Sequence, residues 1–208
     1  MEGSELTLDR ATLASAVHDL RNPLAVIVGM TSVLRARAMP RDRDCLDAIN
    51  LECNRISRMV DNLMAVARVT GVGAREWLPA DELASAAIER LEGVLTGTAV
   101  ALEVPNNELV HVDPVLGELL LVNILELLAW PVDGGVTLAI TREDKRTVIQ
   151  AHGTVGDAGA PCVNLMIAQK IAEAHGGSLE RLEPAGGGTL IRVVLPDGAA
   201  RPESEVMP

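Results

Sequence analysis

Phenylalanine and tyrosine are absent from this sequence of 208 residues, and tryptophan occurs twice, at Trp77 and Trp130. Any core must be filled by Leu, Val, Ile, Ala and Met, which suits helix bundles and leaves no aromatic platform for stacking single-stranded bases. Basic charge is also short: 18 Lys and Arg against 29 Asp and Glu give a net charge of −11. That balance argues against nucleic acid and anionic membrane surfaces as partners. Cysteine appears three times, as Cys45, Cys53 and Cys162, an odd number without CxxC spacing. Packed thiols in a reducing cytoplasm are expected, with no metal site. No apolar run is long enough to span a bilayer, because the stretch from Leu119 to Val132 is interrupted by Asn123 and Glu126. The acidic start, Met-Glu-Gly-Ser-Glu-Leu, has no character of a secretory signal. A soluble cytoplasmic protein without a sensor or membrane module of its own is expected.

What is present is strongly patterned. Apolar residues at Leu13, Val17, Leu20, Leu24, Ile27, Met30 or Thr31, and Leu34 alternate steps of four and three, a heptad seam. Met39-Pro40-Arg41-Asp42 breaks it, and a second seam runs through Ile49, Cys53, Ile56, Val60, Leu63 and Ala67. Two seamed helices joined by a short turn cannot bury both faces alone, so pairing with a second copy into a four-helix bundle is expected. Inside the first seam lies Ala16-Val17-His18-Asp19-Leu20-Arg21-Asn22-Pro23-Leu24. His18 and Asn22 are four apart and share a helix face. Pro23 cannot give an N–H to the carbonyl of Asp19, which loosens the helix beside the histidine. Adjacent to the apolar Val17, His18 is expected on the shoulder of the seam, pointing outward.

The glycine-containing stretch around residues 70–76 reads as a linker, and the pattern then alternates. A helix is expected over 81–95, strands over 99–104 and 109–112, and a helix over 115–129 opened by Asp113-Pro114. Residues 136–141 and 146–151 read as a hairpin around Arg142-Glu-Asp-Lys145. A helix over 162–174 ends at His175-Gly176-Gly177, and strands over 178–182 and 189–195 flank Gly186-Gly-Gly188. Residues 197–208 read as a disordered tail.

The box His18-Asp19-x-x-Asn22-Pro23 resembles the phospho-acceptor box of two-component sensor histidine kinases, and Ile171-Ala-Glu-Ala-His-Gly-Gly177 resembles the end of that family's ATP-binding domain. The implied fold is α+β: an N-terminal helical hairpin (residues 1–69) forming a dimeric four-helix bundle, a linker (70–76), then an α/β sandwich (77–196) similar to the histidine kinase ATPase domain. Four features of that family's nucleotide site are altered here. The asparagine pair on the helix after Asp-Pro reads Asn123-Ile-Leu-Glu-Leu127, and leucine offers no oxygen to magnesium. The aspartate that reads adenine aligns with Ala151, taking the hairpin arms as the guide; sliding the alignment would instead place Asp157 there. The Gly-x-Gly-Leu turn that brings phosphates to a helix N-terminus appears as Cys162-Val163-Asn164-Leu165. The lid is shortened and contains no phenylalanine.

An intact acceptor box beside an erased donor site is similar to dimeric histidine phosphotransferases of phosphorelays. The resemblance implies His18 as the phosphoryl carrier between response-regulator receiver aspartates. Asp19 would orient or charge-stabilise the imidazole, and Asn22 occupies a position tied to receiver dephosphorylation. No cofactor of its own is implied, since magnesium is expected only on the receiver. Competing readings are a receiver phosphatase using Asn22, a pseudokinase scaffold and a divergent ATP-dependent kinase. His111 and His175 read as structural, His152 is left unassigned, and Arg21 and the arginines of 35–43 read as a solvated face.

Overall fold

The computed structural model describes residues 10–68, 73–91, 95, 97–129, 135–154 and 163–200. The chain divides into two compact units, Met1–Thr70 and Gly71–Pro208.

The first unit is a helical hairpin of α1 (Arg10–Arg35) and α2 (Pro40–Arg68). Proline is tolerated at the first position of α2, where its missing N–H has no intrahelical acceptor, and Asp42 suits the positive helix start. Pro23 lies within α1, which continues unbroken past it. The hairpin is antiparallel, since Thr31 bonds Asn50 and Arg35 bonds Asp47. Inward positions are Leu24 and Thr31 on α1 and Cys53, Val60 and Met64 on α2. Thr31 buries its hydroxyl by bonding the carbonyls of Ile27 and Val28 as well. Other described seam residues lie open, while Leu13 and Val17 fall outside the residues whose side chains are described. Leu20, Ile27 and Leu34 on α1, and Ile49 and Ile56 on α2, are exposed and recur every seven residues. At about 100° per residue these heptad strips run beside the buried ones on both helices. Leu63 and Ala67 of the second seam lie outside the residues whose side chains are described.

The second unit comprises β1 (Glu76–Pro79), α3 (Ala80–Arg90), β2 (Val100–Glu103), β3 (Leu109–Val112), α4 (Pro114–Leu128), β4 (Val136–Glu143), β5 (Arg146–Gly153), α5 (Val163–Ala174), β6 (Ser178–Leu182) and β7 (Thr189–Pro196). Five strands form a sheet in the order β2-β4-β5-β7-β6, with β2 parallel to β4 and the rest antiparallel. β1 and β3 make a separate antiparallel pair. Alternate residues of β4 and β7, such as Leu138, Ile140, Ile191 and Val193, are fully buried, which gives the sheet one covered face. α4 packs against α3, α5 and β5. From Leu116 to Leu128 every residue of α4 except Glu118 is buried, as its continuous apolar run requires. Asp113 caps α4 by accepting from the Val115 and Leu116 amides, at 3.0 and 3.1 Å.

Several expected boundaries shift. The helix expected over 81–95 ends at Arg90; Leu91 and Leu95 continue its apolar spacing and are buried beyond its end. The expected linker overlaps β1, which begins at Glu76. The hairpin loop is two residues, Asp144 and Lys145 at φ 45° and 62°, so both arms run eight residues. β5 thereby extends to Gly153, where a Cβ would stand 3.1 Å from Leu128 Cβ, a tight approach of the strand to α4 that glycine eases. The tail expected over 197–208 is corrected at its start, since Asp197 to Ala200 are held against the fold, and residues 201–208 lie outside the described residues.

Candidate functional site: an acceptor box and an altered nucleotide face

His18, Asp19 and Asn22 all lie on α1. Four residues of helix bring positions 18 and 22 onto one face. Counted at about 100° per residue, position 18 lies about 120° and position 22 about 160° around the helix from the inward Leu24. Asp19, Arg21, Asn22 and Pro23 are exposed. The side chain of His18, and with it the expected outward orientation, lies outside the described residues. The local arrangement is a histidine position, a neighbouring carboxylate and an amide one turn on, on a helix whose opposite side holds the hairpin together.

In the second unit, the positions compared with a nucleotide site lie on α4, β5 and α5. Asn123 is fully buried and gives its amide Nδ2 to Leu119 O at 2.8 Å, within its own helix. Leu127, at the position of the second asparagine, is buried. Ala151, at the position of the adenine-reading aspartate, faces the covered side of the sheet, flanked by Leu138 and Ile191, and is fully buried. Two residues on, Gly153 abuts Leu128. Asn164, at the position of the second glycine of the phosphate turn, opens the first turn of α5. Its Nδ2 donates to Glu126 Oε2 at 3.3 Å in a buried contact. Asp157 and the shortened lid fall outside the described residues. Among the described residues, Leu127 offers no oxygen to magnesium, Ala151 offers no acceptor to adenine, and Asn164 places a side chain where the family pattern has glycine. Among the described residues, no group of three His, Cys, Asp or Glu is placed to hold a metal ion.

The buried Glu126–Asn164 pair was missed from sequence. Its signal was a carboxylate in the middle of an apolar helix, which requires a polar partner. The histidines divide by setting. His175 is buried with both ring nitrogens bonded, and His111 is buried on β3 against Trp77. His152 is exposed on β5 and lies 3.2 Å from Gly187 O.

A phospho-acceptor hairpin followed by this sandwich defines a sensor histidine kinase-like core, with histidine kinase-like phosphotransfer architecture. Residues 9–71 match the His Kinase A (phospho-acceptor) domain. The chain is 29% identical over 226 residues to the sensor protein KdpD of Escherichia coli (strain K12), covering 94% of this chain and 25% of KdpD. It thus spans about a quarter of the length of that curated relative. Two solved structures share the fold. Full-length ShkA in complex with AMPPNP aligns with a TM-score of 0.61 and 20% identity, over 93% of this chain and 47% of that one. Histidine kinase ThkA in complex with response regulator protein TrrA aligns with a TM-score of 0.60 and 15% identity, over 88% of this chain and 60% of that one. No helix among the described residues is long and apolar enough to cross a membrane.

Proposed function

We propose that this protein is a phosphorelay histidine phosphotransferase, moving a phosphoryl group between receiver-domain aspartates through His18 without using ATP. The observation that carries the reading is the contrast between the two units. The acceptor box is complete, while Leu127, Ala151 and Asn164, from three different elements, stand at the positions compared with a metal ligand, a base reader and a phosphate turn. One such change could be met by altered contacts; three at one ligand's site remove its metal ligand, its base reader and its phosphate turn.

The chemistry asks little of the protein beyond placement. A neutral imidazole nitrogen attacks the phosphorus of a receiver's aspartyl phosphate, the N–P bond forms, and the acyl-phosphate O–P bond breaks to return the carboxylate. Histidine, with a reference pKa of about 6.5, is largely neutral at cytoplasmic pH. Asp19 accepts a hydrogen bond from the other ring nitrogen and stabilises the imidazolium character that develops. Magnesium is brought by the receiver, and no cofactor is held here. The structure of ThkA with TrrA is a precedent for a receiver engaging this fold. The exposed heptad strips of α1 and α2 supply a homodimer interface, and the reaction belongs in the cytoplasm.

The test offers the purified chain labelled ATP and labelled phospho-receivers in parallel. Labelling by a receiver, lost in His18→Ala, supports the reading; labelling by ATP overturns it. The exposed amide of Asn22 favours one second reading, receiver dephosphorylation. Asn22→Ala with His18 intact separates the two: loss of receiver turnover with transfer preserved assigns a phosphatase role to Asn22.

A further inference from the structure

The segment after β7 turns back across the β1–β3 pair and is fixed there by a set of bonds the phosphotransfer reading does not use. Asp197 receives Arg142 through Nε at 2.9 Å and Nη2 at 2.5 Å, and its amide donates to Lys145 O at 3.0 Å. The Gly198 amide donates to His111 Nδ1 at 3.0 Å. Trp77 Nε1 donates to Ala200 O at 3.1 Å, and the Trp77 ring lies between His111, 4.9 Å away, and the Arg142 guanidinium, 5.4 Å away. The segment leading into the unit is held from the same side. Arg75 donates to Pro196 O at 3.3 Å and to His175 O at 2.8 Å, and the Gly73 amide donates to Asp113 Oδ2 at 2.8 Å. His175 completes the set: the Asp113 amide donates to its Nε2 at 3.2 Å, while its Nδ1 faces Ile171 O at 2.8 Å.

These bonds fix protonation states. A carbonyl only accepts, so His175 Nδ1 carries hydrogen, and Nε2 must be a bare acceptor for the Asp113 amide. His111 Nδ1 must likewise be bare to accept from Gly198. A second proton on either ring would set N–H against N–H and delete the bond. We propose that residues 197–200 and Gly73–Trp77 form a proton-sensitive clasp that is closed while His111 and His175 are neutral and opens when they become charged.

The charges acting on His175 are Arg75 from the leading segment and Asp113 from the β3–α4 junction, with Arg142 from β4 and Asp197 from the strap paired to each other beside Trp77. At His175, burial holds the ring below its ordinary titration range; the Ile171 bond works in the opposite direction, Arg75 and His111 disfavour added charge and Asp113 favours it. A histidine held neutral in the folded state loses its stabilising contribution as pH falls below the unfolded value of about 6.5. Acid therefore opens the clasp. The proposal goes beyond phosphotransfer and stands without it.

The test is amide hydrogen exchange of the full chain at pH 7.5 and pH 5.5, corrected for the intrinsic rate at each pH. Peptides covering 73–78 and 196–200 are expected to lose at least about tenfold in protection at pH 5.5 relative to the centres of β4, β5 and β7. His111→Gln offers Gly198 an amide oxygen that does not titrate, so it is expected to retain the protection of 196–200 in acid. His111→Ala is expected to free the strap at both pH values. Equal protection of these segments at the two pH values in the unaltered chain overturns the proposal. So does an unchanged acid-induced loss at 196–200 in His111→Gln. His175→Gln tests the second half where it folds, and His111→Gln decides the strap on its own.

Discussion

Ile27 sits at the centre of the open strip on α1, which makes Ile27→Asp the most direct probe of the proposed dimer. Leu20, Ile27, Leu34, Ile49 and Ile56 are 41–57% exposed on the single hairpin, so about half of each side chain remains to be buried by a partner. Complete burial of such a side chain is worth about 1.5–3 kcal/mol, so the unburied half of each amounts to about 1 kcal/mol. Five positions on each of two protomers give about 10 kcal/mol of gross apolar gain, set against an association cost of about 4–15 kcal/mol. In a two-fold dimer Ile27 changes twice, which removes about 2 kcal/mol and weakens dimerisation about 30-fold, before the added cost of burying two carboxylates. Val26 is also exposed but lies about 200° from Leu24 around the helix, so Val26→Asp is the matched control, expected within about threefold of the unaltered chain. Sedimentation equilibrium over a dilution series reads both constants. A chain that is monomeric at tens of micromolar, or an Ile27→Asp variant with an unaltered dimer constant, refutes the argument.

Other outcomes follow from single residues. His18→Ala is expected to abolish labelling by a phosphorylated receiver while leaving the sedimentation constant unchanged. Asp113→Ala removes the oxygens bonded by Val115, Leu116 and Gly73 and is expected to lower unfolding free energy by about 1–2 kcal/mol in urea titrations. Gly177→Ala would place a Cβ 2.1 Å from Val194 O and 2.9 Å from Leu195 Cδ2; backbone must move, at a cost of about 3 kcal/mol by the same assay. Because the His175 pKa is lowered on folding, by burial foremost, the unfolded chain binds more protons below about pH 6.5 and stability falls with acidification. The slope reaches at most about 1.4 kcal/mol per pH unit, and His175→Gln is expected to remove that share of it.

Where a local rule governs, the sequence was legible. The heptad steps located both helices of the hairpin, Asp113-Pro114 marked the start of α4, and His175-Gly176-Gly177 marked the end of α5, with Gly176 at φ 73°. Misreadings arose where distant partners decide. Glu76-Trp77-Leu78-Pro79 is four residues with a proline and becomes β1 only because Leu109–Val112 pairs with it. Arg142 and Glu143 look like loop by charge yet extend β4, since β5 offers them partners at Thr147 and Arg146. Asp197-Gly-Ala-Ala200 has the composition of a tail, and its bonds reach residues 52 to 123 positions away. Leu91 and Leu95 continued the helical period of α3 after its backbone had left the helix. At the acceptor box the backbone of α1 is legible through its seam, whereas the Glu126–Asn164 contact required the packing of α4 against α5.

That contact bears on why the second unit keeps its fold around an altered ligand face. A carboxylate on an otherwise apolar buried helix is costly to leave without a partner, and a glycine at position 164 would present no side-chain donor to it. Asn164 supplies one from within the protein. Glu126 and Asn164 also sit at the meeting of α4 and α5, so their bond fixes how the two helices pack where a bound phosphate would otherwise contribute. Restoring glycine alone at 164 would therefore remove a hydrogen bond before it created a phosphate turn, and Leu127 and Ala151 would still present neither metal ligand nor base reader. On the proposed reading, a nucleotide site would need changes on α4, β5 and α5 together, and the change at 164 would cost a buried contact. Glu126 and Asn164 are coupled through their shared bond, so a change at either is felt at the junction of α4 and α5.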